Sequence, residues 1–155
     1  MTTPGPRSII DNQTPLGVVV VRGAAVGFAQ EIEAGSHHFR SDEPTSVGGT
    51  DSGPTPYDLL LAALGSCTSM TVAIYARRKQ WPLERVSVRL RHSRVHAEDC
   101  AACETQDAKL TVIERDIQLD GPLDDEQRVR LLAIANRCPV HLTLASKIDI
   151  RTRLQ

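Results

Sequence analysis

Aromatic residues are nearly missing from this chain: Phe, Tyr and Trp together make up 3% of its 155 residues. A core must therefore be built from Leu, Val, Ile and Ala, and a ring platform for stacking nucleic-acid bases is not expected. A charge excess is missing as well. Eighteen Lys and Arg stand against nineteen Asp and Glu, for a formal charge of −1. There is no basic patch by composition and no long run of one sign, so nucleic acid is not an expected partner. No eighteen consecutive residues are apolar, and a membrane span is not expected. The opening MTTPGPRSIIDNQTP has no charged stretch followed by an apolar one. It reads as something other than a signal peptide, which makes the cytoplasm the expected compartment. There, the four cysteines are read as thiols, metal ligands or catalytic groups rather than as structural disulfides.

What remains is the composition of a globular protein, 41% hydrophobic and 24% charged. The length suits one domain, expected over residues 16–155 behind a flexible segment 1–15 rich in Pro, Gly and Thr. The β-branched run Leu16 to Arg22 reads as a strand, with two more at Phe28 to Ile32 and His37 to Arg40 around an EAGS turn. A long loop, Asp42 to Pro56, is dense in Gly, Pro, Ser and Thr, and loops of that kind are often functional. It leads into a helix expected from about Pro56 to Lys79. Thr55 is its expected cap, Pro56 and Asp58 lie in the first turn, and basic residues close it. That helix is apolar nearly all round, which reads as a buried helix. LERVSVRLRHSRVHA and KLTVIERDIQLDG both alternate and pair as a hairpin. A second helix starts at Asp124 or Asp125, with Val129, Leu132 and Ala133 on one face, and Pro139 interrupts it just after Cys138. SKIDIRTRLQ alternates as a final strand. This order is α+β, without the rhythm of a parallel sheet.

Cys67 sits inside LLLAALGSCTSMTVAIYA, and Cys138 inside NRCPVHLTL. Buried packing is one reading of both, because free cysteine is among the most buried residue types. The other reading is chemistry. Small and hydroxyl-bearing residues surround Cys67, and Cys138 lies at a helix interruption, where free backbone N–H groups can support a thiolate. If the two helices cross, a peroxide can oxidise one thiol to a sulfenic acid, and the other can condense with it. That requires a nearby cation to lower a thiol pKa. Cys100 and Cys103 form a C-x-x-C which, with His92 and His96, is a weak zinc signal; a hairpin tip is the simpler account. His37, His38 and His141 read as polar residues at element edges. A Cys–His hydrolase would need a base and an oxyanion hole that the sequence does not display.

The stretch GGTDSGPTPYDLLLAALGSCTSMT, followed after a hairpin by LLAIANRCPVHLTL, resembles the OsmC/Ohr family over most of the chain. The resemblance implies an α+β fold with long central apolar helices flanked by antiparallel sheets, built as an intertwined homodimer with sites at the subunit interface. It implies thiol-dependent reduction of organic hydroperoxides to alcohols, in oxidative-stress defence. On that resemblance Cys67 is the peroxidatic thiol and Cys138 the resolving one. An external dithiol, in the family often on a lipoylated protein, reduces the disulfide, and no metal or organic cofactor takes part. An Arg and a Glu support the family's thiolate. Here the nearest matches are Arg40, with Arg22 as the alternative, and Asp58, which is a methylene shorter than the family's Glu and stands in its place or one position off. The alternative function is a non-catalytic module that binds a small molecule in the dimer-interface pocket.

Overall fold

The computed structural model describes residue 15, residues 17–96 and residues 109–154. Apart from residue 15, the segment expected to be flexible lies outside the described residues, as do Cys100 and Cys103. The chain divides into two compact units, Met1–Leu59 and Leu60–Gln155.

The first unit holds the three expected strands as an antiparallel meander of β1 (Val19–Gly23), β2 (Gln30–Ala34) and β3 (His37–Ser41), in that order. The loop after β3 is organised around one carboxylate. Asp42 is buried and accepts hydrogen bonds from the N–H groups of Glu43, Thr50 and Ser52 and from the hydroxyls of Thr50 and Ser52. The Thr50 hydroxyl is the strongest influence on its pKa. Burial opposes it, but the five donors together hold the carboxyl well below the usual carboxylate range. The glycines of GGTDSG are explained by the same tight winding. A Cβ on Gly49 would collide with the backbone of Glu43, and one on Gly53 with the backbone of Arg40.

The loop ends in a capped helix, α1 (Pro56–Arg78). The Thr55 hydroxyl accepts from the Asp58 N–H at 3.2 Å, and the Asp58 carboxylate accepts from the Thr55 N–H at 3.0 Å. This reciprocal box satisfies N–H groups that would otherwise lack partners.

In the second unit β4 (Arg85–His96) pairs antiparallel with β5 (Lys109–Asp120). The expected alternation holds, with Val86, Val88 and Leu90 on the more covered face. A capping box of Asp124 and Gln127 opens α2 (Asp125–Ala135). The core joins Val72 and Ala76 of α1 to Leu131 and Ala135 of α2, closed by Leu123, with Val86, Ile117 and Leu119 of the hairpin packed against it.

Three expectations need correction. In this chain α1 is not buried all round. One stripe (Leu64, Gly65, Thr68, Val72, Ala76) is covered, while Met70 and Ile74 are exposed at 64% and 45%. By length and hydropathy α1 would also suffice to cross a membrane, with a mean hydropathy of 1.7 over its best window. Its covered stripe, packed against α2 and the hairpin, is that of a core helix. The inward face of α2 is Leu131, Ile134 and Ala135, not Val129, Leu132 and Ala133, because the apolar residues on α2 exceed what one stripe needs. Finally, the chain after Ala145 forms no strand through residue 154. Its alternating Ile148 and Ile150 are exposed, and alternation without a pairing partner does not make a sheet.

Candidate active site

Residues of three elements meet around Cys138, which is fully buried. The segment from Asn136 to Cys138 links α2 to a short helix, α3 (Pro139–Leu144), with Cys138 just before Pro139. Pro139 thus opens a new helix, where its missing N–H does no harm. The turn aims the His141 N–H at the Cys138 Sγ, 3.3 Å away.

Helix α1 brings Cys67 and Thr68 to the same sulfur. Gly65, one turn earlier on the covered stripe, lets the helix lie close to β4; an added Cβ there would stand 2.8 Å from Leu90. Cys67 is half-buried, and its thiol is among the groups that lower the pKa of the Cys138 thiol. Thr68 is fully buried. Its hydroxyl donates to the Leu64 carbonyl at 2.7 Å and lies 3.6 Å from the Cys138 Sγ.

The third contribution was not among the residues singled out from the sequence. Arg115, on β5, donates from Nη1 to the Thr68 Oγ1 at 2.8 Å and more weakly to the Ala135 carbonyl at 3.4 Å. Its Nη2 donates to the Asn136 Oδ1 at 2.7 Å. The alternation of KLTVIERDIQLDG places Arg115 on the half-covered face with Ile117 and Leu119. A cation in an apolar register position was the available signal.

These groups decide the protonation of Cys138. Burial pushes its thiol up. The His141 N–H, the Thr68 hydroxyl, the Cys67 thiol and the charge of Arg115 pull it down, and together they outweigh burial, so the thiol lies below its ordinary value.

The other expected residues have identifiable local partners. Arg40, on β3, lies opposite Glu31 with Nη2 3.9 Å from its carboxylate, both side chains exposed. Arg22, on β1, pairs with Glu33 at 2.9 Å. Asp58 completes the cap of α1, as described above. Among the described residues no group of three or more His, Cys, Asp or Glu side chains is placed to hold a metal ion. The set of His92, His96, Cys100 and Cys103 falls largely outside them.

Known structures share this fold at low sequence identity. An OsmC-like protein from Mycoplasma pneumoniae matches with a TM-score of 0.61 and 18% identity, over 82% of this chain and 84% of that one. An organic hydroperoxide resistance protein, OsmC, from Legionella pneumophila matches with a TM-score of 0.60 and 20% identity, over 85% and 90%. The organic hydroperoxide resistance protein OhrB of Bacillus subtilis matches with a TM-score of 0.58 and 20% identity, over 85% and 92%. A search among curated proteins returns no match. A family model described as OsmC-like protein matches residues 49–153, a span that takes in the capped helix α1, both cysteines, the hairpin and α2. The chain belongs to the OsmC-like family.

Proposed function

We propose that this protein is a cysteine-based hydroperoxide reductase of the OsmC/Ohr type, acting in the cytoplasm as a homodimer. The observation that carries the reading is that Cys67 and Cys138, remote in sequence, are brought near one another: Thr68, the neighbour of Cys67 on α1, has its hydroxyl 3.6 Å from the Cys138 Sγ, and the Cys67 thiol helps to lower the pKa of the Cys138 thiol. The half-buried member is Cys67 and the enclosed one Cys138, which suits a thiol that meets the substrate and a thiol that waits for it.

In the proposed reaction the Cys67 sulfur attacks the terminal oxygen of a hydroperoxide. The O–O bond breaks, Cys67 becomes a sulfenic acid, and the alkoxide takes a proton and leaves as an alcohol. The Cys138 thiolate then attacks the Cys67 sulfur. An S–S bond forms and hydroxide leaves, becoming water. An external dithiol, such as a lipoyl group, reduces the disulfide by exchange. Neither a metal nor an organic cofactor is needed. The reading keeps Arg40 as the cation of the Cys67 thiolate and Asp58 as its carboxylate anchor, roles that rest on family resemblance.

Two further features support it. Ala63, Leu64 and Met70, one helical turn from Cys67 on α1, offer apolar surface to an organic hydroperoxide. Exposed Met70 and Ile74 on α1 and Val129 and Leu132 on α2 are large apolar groups of the kind a second subunit covers.

The test is consumption of cumene hydroperoxide and of hydrogen peroxide with a dithiol reductant, alongside mass spectrometry of the oxidised protein. Turnover that is abolished in Cys67→Ser, with a Cys67–Cys138 disulfide in the wild type, is the expected result. Unchanged turnover in Cys67→Ser would sink the assignment. No turnover with both thiols unmodified would leave a binding module on the same scaffold.

A further inference from the structure

We propose that Arg115 is a positioning residue for the disulfide-forming step, holding the Thr68 hydroxyl so that it can serve Cys138 both as a thiol and as the attacking thiolate. The inference rests on the peroxidase reading for its place in the reaction. The effect on Cys138 itself is independent of that reading.

The Thr68 hydroxyl has a single proton, committed at 2.7 Å to the Leu64 carbonyl. Its oxygen receives Arg115 Nη1 at 2.8 Å and retains one lone pair towards Cys138. While Cys138 is protonated, its S–H is therefore the donor to Thr68. When Cys138 ionises, it needs donors instead. Rotation of the Thr68 hydroxyl away from Leu64 supplies one. The Leu64 carbonyl keeps its helical backbone acceptor role, and the Arg115 bond to the Thr68 oxygen survives the rotation. The guanidinium also polarises the hydroxyl, making it a stronger donor to the sulfur.

Arg115 is suited to this part because, among the described residues, no ion pair neutralises its charge. Its partners are a hydroxyl, a carbonyl and an amide oxygen, none of them anionic. Asn136, at the C-terminal end of α2, fixes the other arm of the fork. The groups facing the sulfur are Arg115 from β5, Cys67 and Thr68 from α1, and the His141 N–H from α3. Their combined pull on the Cys138 thiol is downward, as described above. In the step itself the thiolate electron pair forms the S–S bond with Cys67, the S–O bond of the sulfenic acid breaks, and the departing hydroxide is protonated by solvent.

The experiment has two parts. In a background of Cys67→Ser, Cys100→Ser and Cys103→Ser, Cys138 is the sole thiol, and its ionisation is followed by ultraviolet thiolate absorbance against pH. Arg115→Gln is expected to raise the midpoint by about one pH unit, leaving about tenfold less thiolate below the midpoint. Arg115→Lys, which keeps the charge but loses the fork, should fall between. Thr68→Val should shift the midpoint the same way and Thr68→Ser should restore it, which guards against a poorly folded Arg115 variant. An unmoved midpoint in folded Arg115→Gln and Thr68→Val would overturn the proposal.

In the protein with its natural cysteines, one equivalent of cumene hydroperoxide is added and the sulfenic acid is trapped with dimedone. Arg115→Gln should accumulate trapped Cys67 and form the disulfide about tenfold more slowly at neutral pH. Slower sulfenic acid formation with unimpaired disulfide closure would overturn the assignment to this step. If the wild type is not oxidised at all, the peroxidase reading fails, while the titration still decides what Arg115 does.

Discussion

Replacing Thr68 by Val tests the buried polar node through stability alone. The side chain is fully enclosed, and Val has nearly the same shape, so no cavity opens. The Leu64 carbonyl keeps its helical partner. What is lost is the bond from Arg115 Nη1 to the hydroxyl, at 2.8 Å, together with the approach to Cys138. A hydrogen bond to a charged group contributes about 1.5–3 kcal/mol. Arg115 is half-buried and keeps the 3.4 Å bond to Ala135 and the bond to Asn136, which places the loss at the lower end, roughly 1.5–2 kcal/mol. For a chain of this length that is a fall in Tm of roughly 3–8 °C. Thr68→Ser makes the opposite exchange. It keeps the hydroxyl and removes one buried methyl, a loss of about 1 kcal/mol. Thermal melts by circular dichroism should thus rank wild type above Ser, and Ser above Val. If burial of apolar surface governed the site, Val would equal or exceed the wild type and Ser would be worst. That order would refute the reasoning.

Other outcomes follow from the same geometry. Met70→Asp, at an exposed apolar position of α1, should convert a dimer to a monomer in sedimentation equilibrium; a wild type that is already monomeric at assay concentration would remove the dimer. Asp42 has a folded pKa below its unfolded one, so its contribution is present above the unfolded value and is lost as pH falls through the folded value. Wild-type Tm should therefore decline below about pH 4, and Asp42→Asn should have a lower Tm at neutral pH with a flatter acid limb. Parallel limbs would show that the carboxylate charge does not hold the loop. Arg40→Ala and Asp58→Asn should each lower peroxide turnover by about tenfold or more if they support the Cys67 thiolate. The amide oxygen introduced by Asp58→Asn can still accept from Thr55, so unchanged turnover in that variant would leave Asp58 a helix cap and nothing more.

Much of this fold could be read directly from local chemistry. The Thr55 and Asp58 box, Pro56 in the first turn and the closing arginines bounded α1 to within a residue or so, because capping is decided by groups adjacent in sequence. The hairpin was equally plain, since alternation and pairing are the same fact seen twice. The inward faces of the helices were not. On α1 and α2 apolar residues outnumber the positions one chain can cover, so periodicity alone could not distinguish the stripe that packs within the unit from the residues left exposed. The final strand failed for a related reason, as alternation specifies a face but supplies no partner.

The site divides along the same line. Cys67 and Cys138 stood out by residue type, whereas the group that acts on Cys138 through Thr68 is an arginine in an apolar register position of an alternating strand. The register of β5 gives the distinction. Arg91, Glu114 and Asp116 lie on the exposed face of the hairpin and interact there with one another, while Arg115, between the two acids, points the other way. A cation on the covered face of a strand must find oxygen atoms or remain unsatisfied. Arg115 finds three, on α1 and on the end of α2, and those are the elements that carry the two cysteines. The polar requirement of one inward charge is therefore met by the same packing that brings the thiols together.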